Sequence, residues 1–458
     1  MDWIPTLGDR EGPVYRRIVE ALNADIVSGR LRRGQQLPTH RALAKALGVD
    51  LTTVTRAYTE AQRRGLTQAR VGQGTFVAES MSRLGPGAGP RPQFDLSMNL
   101  PPQPADADLE GRITRGIAAI QREVGFSAHL NYQEAGGSEA ERDIAARWLR
   151  SRIADAHADR LVICPGTQNA LFNLLITLTS PGDIVLTEAL TYPGIKAAAA
   201  CVGVRLVGVS MDDQGVVPGA LDAACRQHAP KAVYLIPTIH NPTTATMPPS
   251  RREEVAEVLR ANDVLLFEDD AYGMLEPNAA PLACLVPERT YFIASLSKCI
   301  APGLRVSFLL TPDPHSAALV TAAQRASVQM PAFLMVALAA RWLQDGSADA
   351  IIGAIRDEAA ARQKLAAAVL APHAFCSRPN AHHIWISLPH TWTKSEFALH
   401  VQKNGLAVVT SEAFSVEDAQ PNAIRVSLGA ASSRSELVEA LEVLAAALKS
   451  SAVRRRVV

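Results

Sequence analysis

Four short segments carry residue types that could do chemistry on a small molecule. Pro165-Gly166-Thr167-Gln168 follows an apolar run, Leu161 to Ile163, and opens a helical pattern. His240-Asn241-Pro242-Thr243 follows the β-rich run Ala232 to Ile236. Glu268-Asp269-Asp270-Ala271-Tyr272 follows Val264 to Phe267. Ser295-Leu296-Ser297-Lys298 follows Tyr291 to Ala294, with Pro302-Gly303-Leu304-Arg305 close behind. Free N–H groups at a helix start bind phosphate. A lysine whose pKa is lowered by desolvation or a nearby cation forms a Schiff base with an aldehyde. An aspartate beside a pyridine nitrogen keeps it protonated and turns the ring into an electron sink. Asn and Tyr can hydrogen-bond a ring hydroxyl, and Ser and Arg a phosphate. Together these groups describe a pocket for pyridoxal phosphate. Singly, each has a plainer use: paired aspartates cap loops, Asn-Pro makes turns, and Ser-x-x-Lys is common. Their shared place at strand ends is what carries the reading.

The elements that must position them follow from periodicity. Apolar, β-rich runs recur at Asp183 to Leu186, Ala232 to Ile236, Val264 to Phe267, Tyr291 to Ala294 and Val306 to Leu310. Helical stretches such as Gln168 to Leu178 and Arg251 to Ala261 lie between several of them. Strands alternating with helices imply a mostly parallel sheet covered on both faces, with ligands at the strand C-terminal ends. Upstream, Gly85 to Pro92 reads GPGAGPRP, a linker composition. Before it, Pro13 to Val27 places Val14, Ile18, Leu22 and Ile26 on one helix face, and Gly29 ends that helix. Thr39 caps a second helix stopped by Gly48, and Asp50 caps a third with Val54, Tyr58 and Ala61 inward, stopped by Gly65. Leu66 to Arg70 and Thr75 to Val77 flank Gly72 and Gly74 as a hairpin. Only Gly48 and Val49 join the second and third helices, a helix-turn-helix layout. Thr52, Thr53, Thr55 and Arg56 lie near the start of the third, suited to phosphate and base-edge contacts in a major groove. A helical protein-binding module is the plainer alternative.

The stretch SGRLRRGQQLPTHRALAKALGVDLTTVTRAYTEAQRRGL, followed by VGQGTFV, resembles the GntR-type winged helix over about 65 residues. That resemblance implies DNA contacts by Arg41, Thr52, Thr53 and the wing around Gly72. Relatives often place arginines where this chain has Leu51 and Thr55, so the operator sequence does not carry over. From about Phe94 onward the chain resembles a fold-type I, aspartate-aminotransferase-like, pyridoxal-phosphate domain, and the whole is similar to the MocR-type transcriptional regulators. The resemblance implies a winged helix-turn-helix over residues 1–79, a linker over 80–93 and an α/β PLP-dependent transferase domain over 94–458. It divides the last into a large, mostly parallel-sheet domain at about 115–325 and a smaller α+β domain at about 330–458. It further implies that Lys298 forms the internal aldimine and that Asp269 pairs with the pyridine nitrogen. Asn241 and Tyr272 would contact the ring hydroxyl, and Tyr192 would stack on the ring. Thr167, Gln168, Ser295 and Arg305 would hold the phosphate, and Arg425 a substrate carboxylate. Tyr132 would reach the phosphate from a second subunit, which implies a homodimer. Four places depart from the family pattern, the first being His240-Asn241-Pro242, which is nearer to true aminotransferases than to the His-Gln-x-Pro of many MocR relatives. Thr244 stands where Gly normally follows Asn-Pro-Thr, Cys299 follows the lysine and reads as a packing residue, and Asn380-Ala381 replaces a Gly-Gly pair, a change that could reshape the substrate pocket. His382 and His383 read as structural, though either could face the ligand.

Composition narrows the function classes. The chain has 458 residues, is 48% hydrophobic and 20% charged, and has net charge +1, so a large core is expected and wholesale disorder is not. Residues 1–79 hold 12 Lys+Arg against 8 Asp+Glu, net +4, and the other 379 hold 34 against 37, net −3. The basic excess thus sits where DNA would bind. Six scattered cysteines form no Cys-x-x-Cys pair, no metal site is expected, and a reduced cytoplasmic setting fits. The acidic start is no signal peptide, and the longest apolar runs are about half the ~20 residues of a membrane span. The sequence therefore points to a regulator that binds a double-stranded DNA operator and senses a small amine or amino-acid effector through pyridoxal phosphate. The alternative is a working aminotransferase that carries a DNA-binding domain. A repressor with an inactive dimerisation domain fits least, because the lysine and its partners are intact.

Overall fold

The computed structural model describes residues 3–6, 13–27, 30–31, 34–63, 66–70, 74–77, 92–123, 126–371, 373–417 and 421–450. The chain divides into two units, Met1–Arg91 and Pro92–Val458. In the first, helices α1 (Val14–Val27), α2 (His40–Leu47) and α3 (Leu51–Arg63) precede a hairpin of β1 (Thr67–Arg70) and β2 (Gly74–Val77). The strands pair antiparallel, Thr67 opposite Val77. Ile18, Val19 and Leu22 from α1 meet Leu43 from α2 and Val54, Ala57, Tyr58 and Ala61 from α3 in one core. The helix ends follow from single residues. Thr39 Oγ1 accepts the Ala42 N–H at 3.2 Å, Gly48 adopts φ +63° past α2, and Asp50 Oδ1 accepts the Thr52 N–H at 2.8 Å. The stops expected at Gly29 and Gly65, the wing residue Gly72 and nearly all of the expected linker lie outside the described residues.

The second unit opens with β3 (Phe94–Asp95) and builds its large sheet from β4 (Leu161–Cys164), β5 (Ile184–Glu188) and β6 (Arg205–Val209). After a short hairpin of β7 (Met211–Asp212) and β8 (Gly215–Val216) come β9 (Ala232–Leu235), β10 (Leu265–Asp270), β11 (Thr290–Ser295) and β12 (Ser307–Leu310). The sheet order is β4-β12-β11-β10-β9-β5-β6. All neighbours run parallel except β12, which is antiparallel to both β11 and β4. Only residues 296–306 join β11 to β12. That is too short for a crossover helix, so the chain reverses. Both faces are buried: Tyr291 and Ile293 face one core while Phe292 and Ala294 face another.

A smaller sheet of β13 (His383–Ser387), β16 (Ala423–Ser427) and β15 (Val409–Thr410) is antiparallel, and β14 (Leu406–Ala407) pairs parallel with β3. The packing draws the division differently from the expected boundary near 330. Phe94 and Leu96 lie in the small-sheet core with Ile384, Ile424 and Leu441. Val336, Leu338, Trp342 and Ile355 pack instead with the large-sheet core. The alternating apolar residues at 94 and 96 have their burial partner near the chain's far end, and proximity in sequence does not reveal it. Among the described residues no helix is long and apolar enough to cross a membrane.

Candidate functional site

A cavity of about 450 Å³ opens at the C-terminal ends of the large sheet's strands. Each chemical group arrives from a different element. Asp269 is the last residue but one of β10, and Ser295 ends β11 and caps the one-turn helix Leu296–Cys299 that presents Lys298. Thr167 and Gln168 start the helix Thr167–Leu178, and Tyr192 and Asn241 come from loops after β5 and β9. Arg425 sits on β16. Lys298, Asp269, Asn241, Tyr272, Tyr192, Thr167, Gln168, Ser295, Arg305 and Arg425 all line this one cavity.

Asp269 is 4% exposed, and its Oδ2 accepts the Tyr234 hydroxyl at 2.8 Å. Oδ1 has no hydrogen-bond partner. Burial lifts the carboxyl pKa to about 6 against the opposing Tyr234 hydrogen bond. A buried carboxylate oxygen left in this state fits a protonated ring nitrogen. Lys298 Nζ donates to the Asn99 carbonyl at 2.6 Å. Burial, helped by the nearby Arg425 cation and opposed by Asp269, lowers its pKa to about 8. An amine in that range is neutral often enough to attack an aldehyde at physiological pH.

At the phosphate end Gly166 takes φ +91°, and a Cβ there would lie 2.2 Å from Arg305 Nη2. Glycine thus lets the guanidinium close over the start of the Thr167 helix, a cradle for an anion. Ser297, to which the sequence assigns no role, lines the same cavity. Residues around the site hold uncommon backbone angles: Ile239 at φ +48°, Thr244 at φ +66° and Arg305 at φ +51°. Thr244 explains its own oddity, because its left-handed angle is the one that favours glycine.

At the carboxylate end Arg425 Nη1 donates to Asn241 Oδ1 at 2.8 Å and Nη2 to the Ser97 carbonyl at 2.6 Å, with the guanidinium 4.9 Å from the Phe414 ring centroid. Burial lowers its pKa to about 10. Tyr272 Oη accepts Asn99 Nδ2 at 2.7 Å. His383 Nε2 faces the His240 carbonyl at 3.3 Å and must donate to it, so Nδ1, 3.4 Å from Tyr272 Oη, carries a lone pair. His382 Nε2 likewise donates to the Lys298 carbonyl at 2.7 Å. Neither histidine lines the cavity. Asn380 bonds Leu275 and Glu276 rather than facing the cavity, and Cys299 is fully buried. Tyr132 is 83% exposed and lies off this chain's cavity.

Tyr234, Asn99, Ser97 and Phe414 were missed. Tyr234 reads as one more apolar residue of a buried strand, and Ser97 and Asn99 act largely through main-chain carbonyls, which leave no mark in a sequence.

In the first unit, Arg41, Thr52, Thr55 and Arg56 are exposed and Thr53 is half-buried, on α2 and α3. The structure ties up several of the groups expected to be free. Thr52 Oγ1 donates to Asp50 Oδ1 at 2.5 Å, Thr55 Oγ1 donates to the Leu51 carbonyl at 2.9 Å, and the Arg56 guanidinium lies 4.3 Å from the Tyr15 ring centroid. Hydroxyls near a helix start bond local backbone groups and caps.

Residues 91–444 match the family described as aminotransferase class I and II, and residues 14–77 match bacterial regulatory proteins of the gntR family. The HTH-type transcriptional regulator YdeF of Bacillus subtilis is 29% identical over 97% of this chain and 96% of its own length. The vitamin B6 salvage pathway transcriptional repressor PtsJ of Salmonella typhimurium is 29% identical over 91% of this chain and 95% of its own. In three dimensions the α-aminoadipate aminotransferase LysN of Thermus thermophilus, complexed with N-(5'-phosphopyridoxyl)-L-leucine, superposes with a TM-score of 0.71 at 24% identity, covering 78% of this chain and 92% of its own.

Proposed function

This chain belongs to the aminotransferase class I and II family and carries a gntR-family domain at its N-terminal end, and on that premise we propose that it is a MocR-type transcriptional regulator that binds pyridoxal phosphate and answers to an amine or amino acid. Pyridoxal phosphate, when bound, supplies an aldehyde that captures amines and a ring that withdraws electrons. Lys298 Nζ is the nucleophile toward that aldehyde. Asp269 Oδ1 holds the proton on the ring nitrogen, and Tyr234 holds Asp269. Asn241 and Tyr272 orient the ring hydroxyl, Tyr192 covers a ring face, and Thr167, Gln168, Ser295 and Arg305 grip the phosphate. Arg425 receives a carboxylate. Tyr132, exposed beside the exposed Leu130, completes the phosphate site of a second copy in a homodimer.

One observation favours sensing. The strap Ser97–Leu100 places two main-chain carbonyls on the two cations that ligands must engage: Ser97 on Arg425 and Asn99 on Lys298. An effector carboxylate competes with the first, and the cofactor aldehyde with the second. Upstream the strap follows β3 and the linker, so the same backbone runs directly to the DNA-binding unit. Occupancy is thereby felt by residues that lead into the winged helix, a biased two-state arrangement. The test is DNA affinity of the full chain, measured on its own promoter by fluorescence anisotropy as pyridoxal phosphate and then amino acids are added. A ligand-dependent shift that vanishes in Lys298→Ala supports sensing. Identical affinities with and without both ligands reject it.

The second reading, a working aminotransferase, draws on the low-pKa Lys298 beside Asp269, which together can take up and return a substrate α-proton. Accumulation of pyridoxamine phosphate on mixing loaded protein with amino acids, judged by loss of visible absorbance, decides it.

A further inference from the structure

The DNA-binding reading leaves open which bases α3 prefers, and the helix surface carries an answer. Leu51, the first residue of α3, is 42% exposed, at the edge of the stripe that buries Val54, Tyr58 and Ala61 further along the helix. One turn on stands Thr55, and Thr52 lies beside Leu51; both are exposed. A threonine hydroxyl has one proton to give. Thr52 gives its proton to Asp50 Oδ1, and Thr55 gives its own to the Leu51 carbonyl. His40 Nδ1, 3.2 Å from Thr55 Oγ1, must therefore donate and takes up a lone pair as well. The nearest cation of this helix, Arg56, is stacked over Tyr15. With both protons given, the ridge has no threonine hydroxyl left to donate to a base edge; besides oxygen lone pairs it offers the leucine side chain and threonine methyl groups. In the major groove the apolar feature of a base edge is the C5 methyl of thymine.

We infer that Leu51, with the Thr55 methyl one turn along, reads thymine methyl groups, so that the preferred operator carries thymine at a fixed position of each half-site. The inference rests on α3 being the DNA-reading helix. The full-length protein is used to select duplexes from a random-sequence pool. Each thymine of the best duplex is then replaced singly by uracil, which deletes the methyl and keeps every hydrogen bond. One or two positions per half-site lose about fourfold in affinity, the worth of one buried methyl group. Leu51→Ala binds more weakly and no longer tells thymine from uracil there, while its salt dependence, set by phosphate contacts, persists. Thr55→Ser, which keeps the hydroxyl and loses the methyl, also weakens binding about fourfold. The inference is overturned if no thymine-to-uracil change matters, if a folded Leu51→Ala still discriminates, or if Thr55→Ser binds like the wild type. A pool that enriches no sequence overturns the DNA-reading role of α3 itself, a distinct result.

Discussion

Lys298 and Asp269 differ from ordinary residues of their kinds by what surrounds them. With its amine pKa pulled down to about 8, Lys298 is half neutral near pH 8 rather than above pH 10. The rate at which the protein captures pyridoxal phosphate should therefore climb from pH 6, pass half-maximum near 8 and level off by 9. Stopped-flow absorbance gives the profile, and a rate still climbing between pH 9 and 10 contradicts the assigned environment. Tyr234 donates to Asp269 Oδ2 at 2.8 Å and, with the Ala271 N–H, favours the ionised carboxylate. Tyr234→Phe removes a bond to a charged group, worth about 1.5–3 kcal/mol. The cofactor dissociation constant at pH 7 should rise roughly tenfold or more, read by quenching of tryptophan fluorescence. An unchanged constant would show that Asp269 needs no such support.

Glycine 166 works at the scale of the element it starts. Its φ of +91° and the 2.2 Å that a Cβ would leave to Arg305 make any side chain there both strained and obstructive. Gly166→Ala should weaken pyridoxal phosphate binding at least tenfold while leaving pyridoxal, which has no phosphate, nearly unaffected; equal losses for both would mean that the whole pocket had shifted. Much at this scale was legible in the sequence. Runs of apolar residues at 183, 232, 264, 291 and 306 became strands, because a strand buried on both faces must be apolar throughout. The ten cavity-lining positions were legible through strand-end motifs and family likeness. The reversal of β12 was not, since it depends on how short a connection can be. Nor was the engagement of Thr52 with Asp50 and of Thr55 with the Leu51 carbonyl, because hydroxyl rotamers answer to local geometry that composition does not report.

Each of the two units has its own apolar core, so each should unfold as a cooperative body. Calorimetry should resolve two transitions, and saturating pyridoxal phosphate at 100 times its dissociation constant should stabilise residues 92–458 by about 2.7 kcal/mol. A single transition in place of two would show that the two cores unfold as one body. The placement of Phe94 and Leu96 in the small-sheet core was hidden from the sequence for the same reason that it matters: it joins residues more than three hundred positions apart. The strap that follows them is further fixed by the Leu96 carbonyl, which accepts the Ser427 N–H at 2.9 Å, and by Gly429, where a Cβ would fall 2.0 Å from the Leu100 oxygen. Its grip on Lys298 and Arg425 comes from peptide oxygens, which every amino acid possesses. Genetic drift can therefore rewrite the side chains at 97 and 99, and with them the taste of the pocket, without cutting the line that carries its message; only a change in the length or course of the backbone does that.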